Sequence, residues 1–180
     1  MFKNTIFRRM TALVLTLALA AAAALPGLAV YPMPIQTASE TEAVYLFNAD
    51  TGKTILNQNA DQQQYVASLT KLMTALLLLE SGKDLNGEVT VPTDLTQEFK
   101  DIQNANGTTM GLRIGETVRR IDLLNALLIT SANDAASVIA WDVGGSLNAF
   151  IQQMNARAAE LGCTSATFTC AHGPVSYTHL

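Results

Sequence analysis

Residues 68–80, "SLTKLMTALLLLE", hold Leu69, Leu72, Met73, Leu76, Leu77 and Leu79 in one short run that "SGK" at 81–83 brings to a stop. On a helical wheel these side chains occupy most faces. A helix that is apolar nearly all round is a buried one. The chain is therefore expected to build its domain around 68–80 as a central helix, with other elements covering it from several sides.

The elements on either side are of two kinds. Upstream, "AVYLFNADTGKTILNQNADQQ" (43–63) has two β-prone runs around "NADTG", a hairpin signal in which Gly52 suits a positive φ. Downstream, "GEVTVP" (87–92) reads as a short strand, and Thr93-Asp94 can open a brief helix toward Ile102. "NANGTTMGLRIGET" (104–117) is too glycine-rich for a regular element. "VRRIDLLNALLIT" (118–130) has helical spacing, "SAN" (131–133) interrupts it, and "DAASVIAWDV" (134–143) resumes it, with Asp134 placed to favour the helix N-terminus. A last amphipathic helix spans 146–162, capped by Ser146 and stopped by Gly162. The pattern is α+β, with few strands beyond the hairpin. A lone hairpin is marginal without further strands or a packed helix.

The first thirty residues raise the hydrophobic content, 49% over the 180 residues, above what the rest of the chain would give. Lys3, Arg8 and Arg9 precede an uncharged apolar stretch, a "PG" break and small residues, which together describe a secretory signal peptide cleaved after Ala29. An uncleaved anchor is the alternative, since the run nearly reaches the ~20 residues that span a bilayer. Cleavage at 29 removes those three positive charges and no negative one, taking the formal charge from −4 to −7. An acidic chain without a basic cluster excludes nucleic acid as the expected partner. Residues 30–42 read as a proline-punctuated linker. Cys163 and Cys170 are the only cysteines, and their spacing leaves pairing or two free thiols equally open.

Ser68 and Lys71 stand at i and i+3, so on a helix they share a face about one turn apart. A serine hydroxyl needs a neighbouring base to become a nucleophile, and a buried lysine amine can be that base when burial lowers its pKa. Free N–H groups at the helix start would face developing oxyanion charge. The structural alternative is a capping serine beside a snorkelling lysine. Ser131-Ala132-Asn133 forms a tight break between two apolar helices, turning a hydroxyl and an amide out of the packed cluster. Asn133 has both a donor and an acceptor for a substrate amide, and Ser131 can relay a proton. The alternative is that both cap the following helix.

"SLTK" and "SAN", about sixty residues apart, match the S-x-x-K and S-x-N motifs of the penicillin-recognising serine enzymes. The longer stretches "TGKTILNQNADQQQYVASLTKLMTALLLLE", "GTTMGLRIGETVRRIDLLNALLITSANDAASVIA" and "LGCTSATFTCAHG" resemble the serine-type D-alanyl-D-alanine carboxypeptidases, the low-molecular-weight penicillin-binding proteins. The resemblance runs from about Glu42 to Gly173. It implies a β-lactamase/transpeptidase-like α+β fold over residues 43–173. It also implies Ser68 as nucleophile, Lys71 as general base, Ser131 as proton relay and Asn133 as the residue contacting the substrate amide. The implied partners are a peptidoglycan stem peptide ending in D-Ala-D-Ala and β-lactams, with no metal or organic cofactor. Family anchors are C-terminal, so membrane attachment is expected only through the signal segment or such an anchor. The expected location is the cell envelope.

The family's third motif, K-T-G on a strand, does not occur: "GKT" at 52–54 has another order, and no lysine follows Lys100. This leads to the expectation of an N-terminal portion of the family domain, lacking sheet strands that follow "HG", exposing apolar surface on the 68–80 helix and showing no efficient activity as given. "PVSYTHL" (174–180) matches nothing in the family pattern and is expected to be non-native, and Cys170 stands where the family commonly has asparagine. Two other functions compete. A class A β-lactamase wants S-D-N where this chain has "SAN", and a later loop glutamate. A non-catalytic cell-wall binding protein would keep the cleft without turnover, against which Ser68, Lys71 and Ser131 are all intact.

Overall fold

The computed structural model describes residues 41–173, which fall into two compact units divided between Ala60 and Asp61. The expected signal peptide, most of the expected linker and the tail from Pro174 lie outside the described residues.

The first unit is the expected hairpin. β1 (Val44–Asn48) and β2 (Lys53–Gln58) pair antiparallel, Leu46 opposite Leu56, with a bulge between Leu46 and Phe47. Asn48 closes the turn twice. Its carbonyl accepts from the Gly52 N–H at 2.8 Å, and its side-chain oxygen accepts from the Thr51 N–H at 2.9 Å. Gly52 sits at φ +65°, a left-handed conformation that costs a residue without Cβ nothing.

The second unit is mainly helical among the described residues. A single 3-10 turn, Ala67–Leu69, leads into α1 (Thr70–Glu80). β3 (Glu88–Thr90) follows, then a second 3-10 turn and α2 (Thr96–Asn104). β4 (Thr117–Arg119), α3 (Arg120–Ile129), α4 (Asn133–Gly144) and α5 (Leu147–Glu160) complete it. The α5 cap is as expected: Ser146 Oγ accepts from the Ala149 N–H at 3.1 Å. One boundary differs from the sequence expectation. Residues 118 and 119 are strand rather than helix, because β-branched Thr117 and Val118 pair with Thr90 and Val89 across an antiparallel ladder. The helix begins only at Arg120, whose guanidinium grips Asp142 on α4 at 2.7 and 2.9 Å.

The centre of this unit is α4, not α1. Ala135, Ala136, Val138, Ile139 and Ala140 are each no more than 1% exposed, and α1, α2, α3 and α5 all pack on α4. Leu78, Leu123, Leu127, Phe150 and Met154 fill the spaces between, each fully buried. Side chains of this size contribute roughly 1.5–3 kcal/mol apiece when removed from water. The α1 helix buries a single face, made of Thr70, Lys71, Thr74, Ala75 and Leu78. Leu72 and Leu79 on its other side are more than half exposed, as is Leu69 just before it. The expectation of 68–80 as a central helix covered on several sides is thus not met: the other helices gather on α4 instead, and α1, covered on one face, carries the expected exposed apolar surface. Among the described residues no helix is long and apolar enough to cross a membrane.

Candidate active site

The buried face of α1 is polar at its start, and that polarity needs partners. Lys71 is 3% exposed and Thr74 fully buried. Both find acceptors in the segment after α5. Thr74 Oγ1 donates to the Ala171 carbonyl at 2.6 Å, and Lys71 Nζ donates to the His172 carbonyl at 2.8 Å. The segment then passes so close to the start of α1 that a Cβ on Gly173 would overlap the Ala67 carbonyl oxygen and Thr70 Oγ1. Gly173 also sits at φ +67°, so space and backbone conformation both call for glycine.

Three of the four residues singled out in the sequence meet here. Lys71 Nζ donates to Ser68 Oγ at 3.2 Å, and Ser131 Oγ donates to the same oxygen at 3.0 Å. Ser68 lies in the 3-10 turn, two residues before α1, and the i, i+3 spacing still brings the amine to the hydroxyl. Ser131 arrives from the break between α3 and α4. Its φ of +58° turns the chain so that the Ala132 N–H returns to the Ala126 carbonyl at 3.1 Å. Ala67, just before Ser68, is also left-handed at φ +46°. For residues with a Cβ this conformation costs about 1–2 kcal/mol each, and such strain gathers at functional sites.

Burial holds the Lys71 amine below its ordinary value of 10.5, with Cys170 nearby pulling it partly back up. The His172 carbonyl accepts a Lys71 N–H whether the amine is charged or neutral. When it is neutral, the lone pair is left for the Ser68 hydroxyl.

Among the described residues no hydrogen bond joins Asn133 to this cluster. Asn133 opens α4, its N–H donates to the Thr108 carbonyl at 2.8 Å, and its amide nitrogen would lie 2.6 Å from a Cβ on Gly107. The helix cap is Ala132, and no side chain caps it, so capping does not account for Ser131 or Asn133.

Several residues in this region were not singled out in the sequence as part of a site. Asp134 does more than favour a helix N-terminus. Its buried carboxylate accepts from the N–H groups of Met110, Gly111 and Leu112, each at 3.0 Å, and from Ala135 at 2.9 Å, so it moors the glycine-rich loop to α4. Glu98, Ser137 and His172 form a second polar group behind Lys71. Cys163 and Cys170 are both free thiols, and Cys170 Sγ accepts from the Gly173 N–H at 3.2 Å.

Residues 32–178 match the D-alanyl-D-alanine carboxypeptidase family, Peptidase_S11. The chain belongs to this family of serine-type peptidases. It is 33% identical over 136 residues to a D-alanyl-D-alanine endopeptidase of Pseudomonas aeruginosa, covering 76% of this chain and 42% of that protein. It is 34% identical over 140 residues to the D-alanyl-D-alanine carboxypeptidase DacC of Escherichia coli, covering 74% of this chain and 34% of that protein. The chain thus spans a third to two fifths of the length of these relatives. Among solved structures it is similar to the Streptomyces K15 DD-transpeptidase, with TM-score 0.65 and 29% identity over 72% of this chain and 51% of that one. It is also similar to penicillin-binding protein 5 of Haemophilus influenzae, with TM-score 0.59 and 29% identity over 68% of this chain and 36% of that one. The α+β fold is that of the penicillin-binding DD-peptidases, as the motif pattern implied. The family is one of cell-wall peptidases.

Proposed function

We propose that the protein is an exported serine D-alanyl-D-alanine carboxypeptidase that removes the terminal D-alanine from peptidoglycan stem peptides and is acylated by β-lactams. The observation that carries this reading is the single oxygen, Ser68 Oγ, hydrogen-bonded by both Lys71 and Ser131. Ser68 Oγ attacks the carbonyl carbon of the penultimate D-alanine while neutral Lys71 takes the hydroxyl proton. The tetrahedral intermediate collapses with cleavage of the C–N bond. The leaving amine of the terminal D-alanine receives a proton passed from Lys71 through Ser131. Water then attacks the Ser68 ester, Lys71 accepts the water's proton and returns it to Ser68 Oγ as the Oγ–C bond breaks, and the shortened peptide leaves. Asn133 holds the substrate amide from the start of α4. Residues 43–173 form part of the catalytic domain, with 1–29 as export signal and 30–42 as linker, and the enzyme acts in the cell envelope.

Incubation with a labelled penicillin followed by intact mass spectrometry, on the protein expressed from its own gene, tests the proposal. One penicillin per molecule on a wild type that carries a K-T-G strand, and none on its Ser68→Ala variant, is the expected result. Equal labelling of Ser68→Ala, or none on the wild type, overturns the assignment.

A further inference from the structure

Behind Lys71 lies a polar group that the reaction above does not use. Glu98, in the first turn of α2, presents one carboxylate oxygen, Oε1, to two donors. Ser137 Oγ on α4 lies 3.0 Å from it, and His172 Nε2 lies 2.8 Å from it. The other ring nitrogen of His172 is buried with no partner. A buried N–H without an acceptor costs more than an unused lone pair, so the ring hydrogen belongs on Nε2, pointing at Glu98. The His172 ring is therefore anchored to α2 while the carbonyl of the same residue receives the Lys71 amine at 2.8 Å.

We propose that Glu98 is a positioning residue for Lys71, acting through His172. This rests on the reading of Lys71 as general base. The 171–173 segment is pinned at three successive residues: Ala171 through its carbonyl to Thr74, His172 through its ring to Glu98, and Gly173 through its N–H to Cys170. Only the middle pin belongs to the residue whose carbonyl holds the lysine. Freed of Glu98, the ring can leave its buried place, the His172 peptide can rotate, and the lysine loses the acceptor that aims its lone pair at Ser68. Through Ser137 the same oxygen reaches α4 one turn beyond Asn133, since the Ser137 hydroxyl also lies 3.2 Å from the Asn133 carbonyl. Glu98 thus ties together the segment that holds the base and the helix that starts with the substrate-amide residue.

The test measures acylation by a fluorescent penicillin over a range of concentrations, which separates the saturated rate from the half-saturating concentration. Glu98→Ala should lower the saturated rate by about 10- to 100-fold, the scale of a small misplacement of a reacting group, and leave half-saturation unchanged. Glu98→Gln should recover most of the rate, because both bonds converge on one oxygen that the amide retains. Glu98→Met, which fills the same space without an acceptor, carries the expectation of the alanine variant should that one not fold. A wild-type rate in Glu98→Ala or Glu98→Met, a change confined to half-saturation, or Glu98→Gln as slow as Glu98→Ala would overturn the proposal while leaving the Ser68 reading intact. Absence of wild-type acylation would sink both.

Discussion

Replacing Asp134 by asparagine changes one atom of a side chain that is 2% exposed, and the structure gives the cost. Oδ1 accepts from Met110 and Ala135, and Oδ2 accepts from Gly111 and Leu112. An asparagine keeps one of those oxygens and turns the other into an NH2 group, a donor facing two donors. Two hydrogen bonds to a charged acceptor disappear, two N–H groups lose their partner, and the surviving pair loses its charge assistance. With hydrogen bonds to charged groups worth about 1.5–3 kcal/mol, the sum is about 3–5 kcal/mol after partial relaxation of the loop. That is a large share of the roughly 5–15 kcal/mol that holds a domain together. The single tryptophan, Trp141, lies two turns along the same helix and reports unfolding by its fluorescence. At a urea slope of about 2 kcal/mol per molar, the midpoint should fall by about 1.5–2.5 M with the slope unchanged. A midpoint within about 0.3 M of wild type would mean that the loop finds other acceptors at no cost, and the mooring argument would be wrong.

Three further outcomes follow from the cluster at Ser68. Burial lowers the Lys71 amine below 10.5, so the rate of penicillin acylation should rise with pH and level off through a pKa below that value; an inflection at 10.5 or above would refute Lys71 as the buried base. The same lowering means that charged Lys71 costs the folded state stability at pH below its folded pKa, a cost that fades as pH climbs toward 10.5. At Ser131, φ +58° should reverse the usual order of small residues: Ser131→Gly is expected to be more stable than Ser131→Ala by about 1 kcal/mol in urea titration, with acylation slowed in both. Equal stability of the two would show that the left-handed backbone carries no strain.

What was legible in the sequence is what depends on near neighbours. The three-residue spacing of Ser68 and Lys71, the Ser146 cap and the Gly52 turn are local, and each stands as read. The two-helix break at Ser131 is local as well. The ladder between β3 and β4 is not, since three residues give too little alternation to separate strand from the helix that follows. The rank of the helices is not legible, for a different reason. Hydropathy weights leucine, which pointed to α1, whereas burial in a helical unit also follows how closely neighbours can approach. Alanines at 132, 135, 136 and 140 let four helices close on α4 together, and each is fully buried.

The same distinction explains why the lysine was found and its setting was not. A lysine at the head of an apolar helix can be recognised from the run that contains it. Burial to 3% is a long-range property, because an amine enters such a place only where acceptors already wait. One acceptor is three residues away, and the other is a backbone carbonyl 101 residues on, invisible as a residue type because every residue has one. What the sequence can mark is the side chain that fixes that carbonyl, and here it is a histidine whose only ring partner among the described residues is a glutamate 74 positions earlier. The identity of His172 matters to Lys71 through its ring although the contact is made by its backbone. A substitution there should therefore act on the base without removing any atom that touches it.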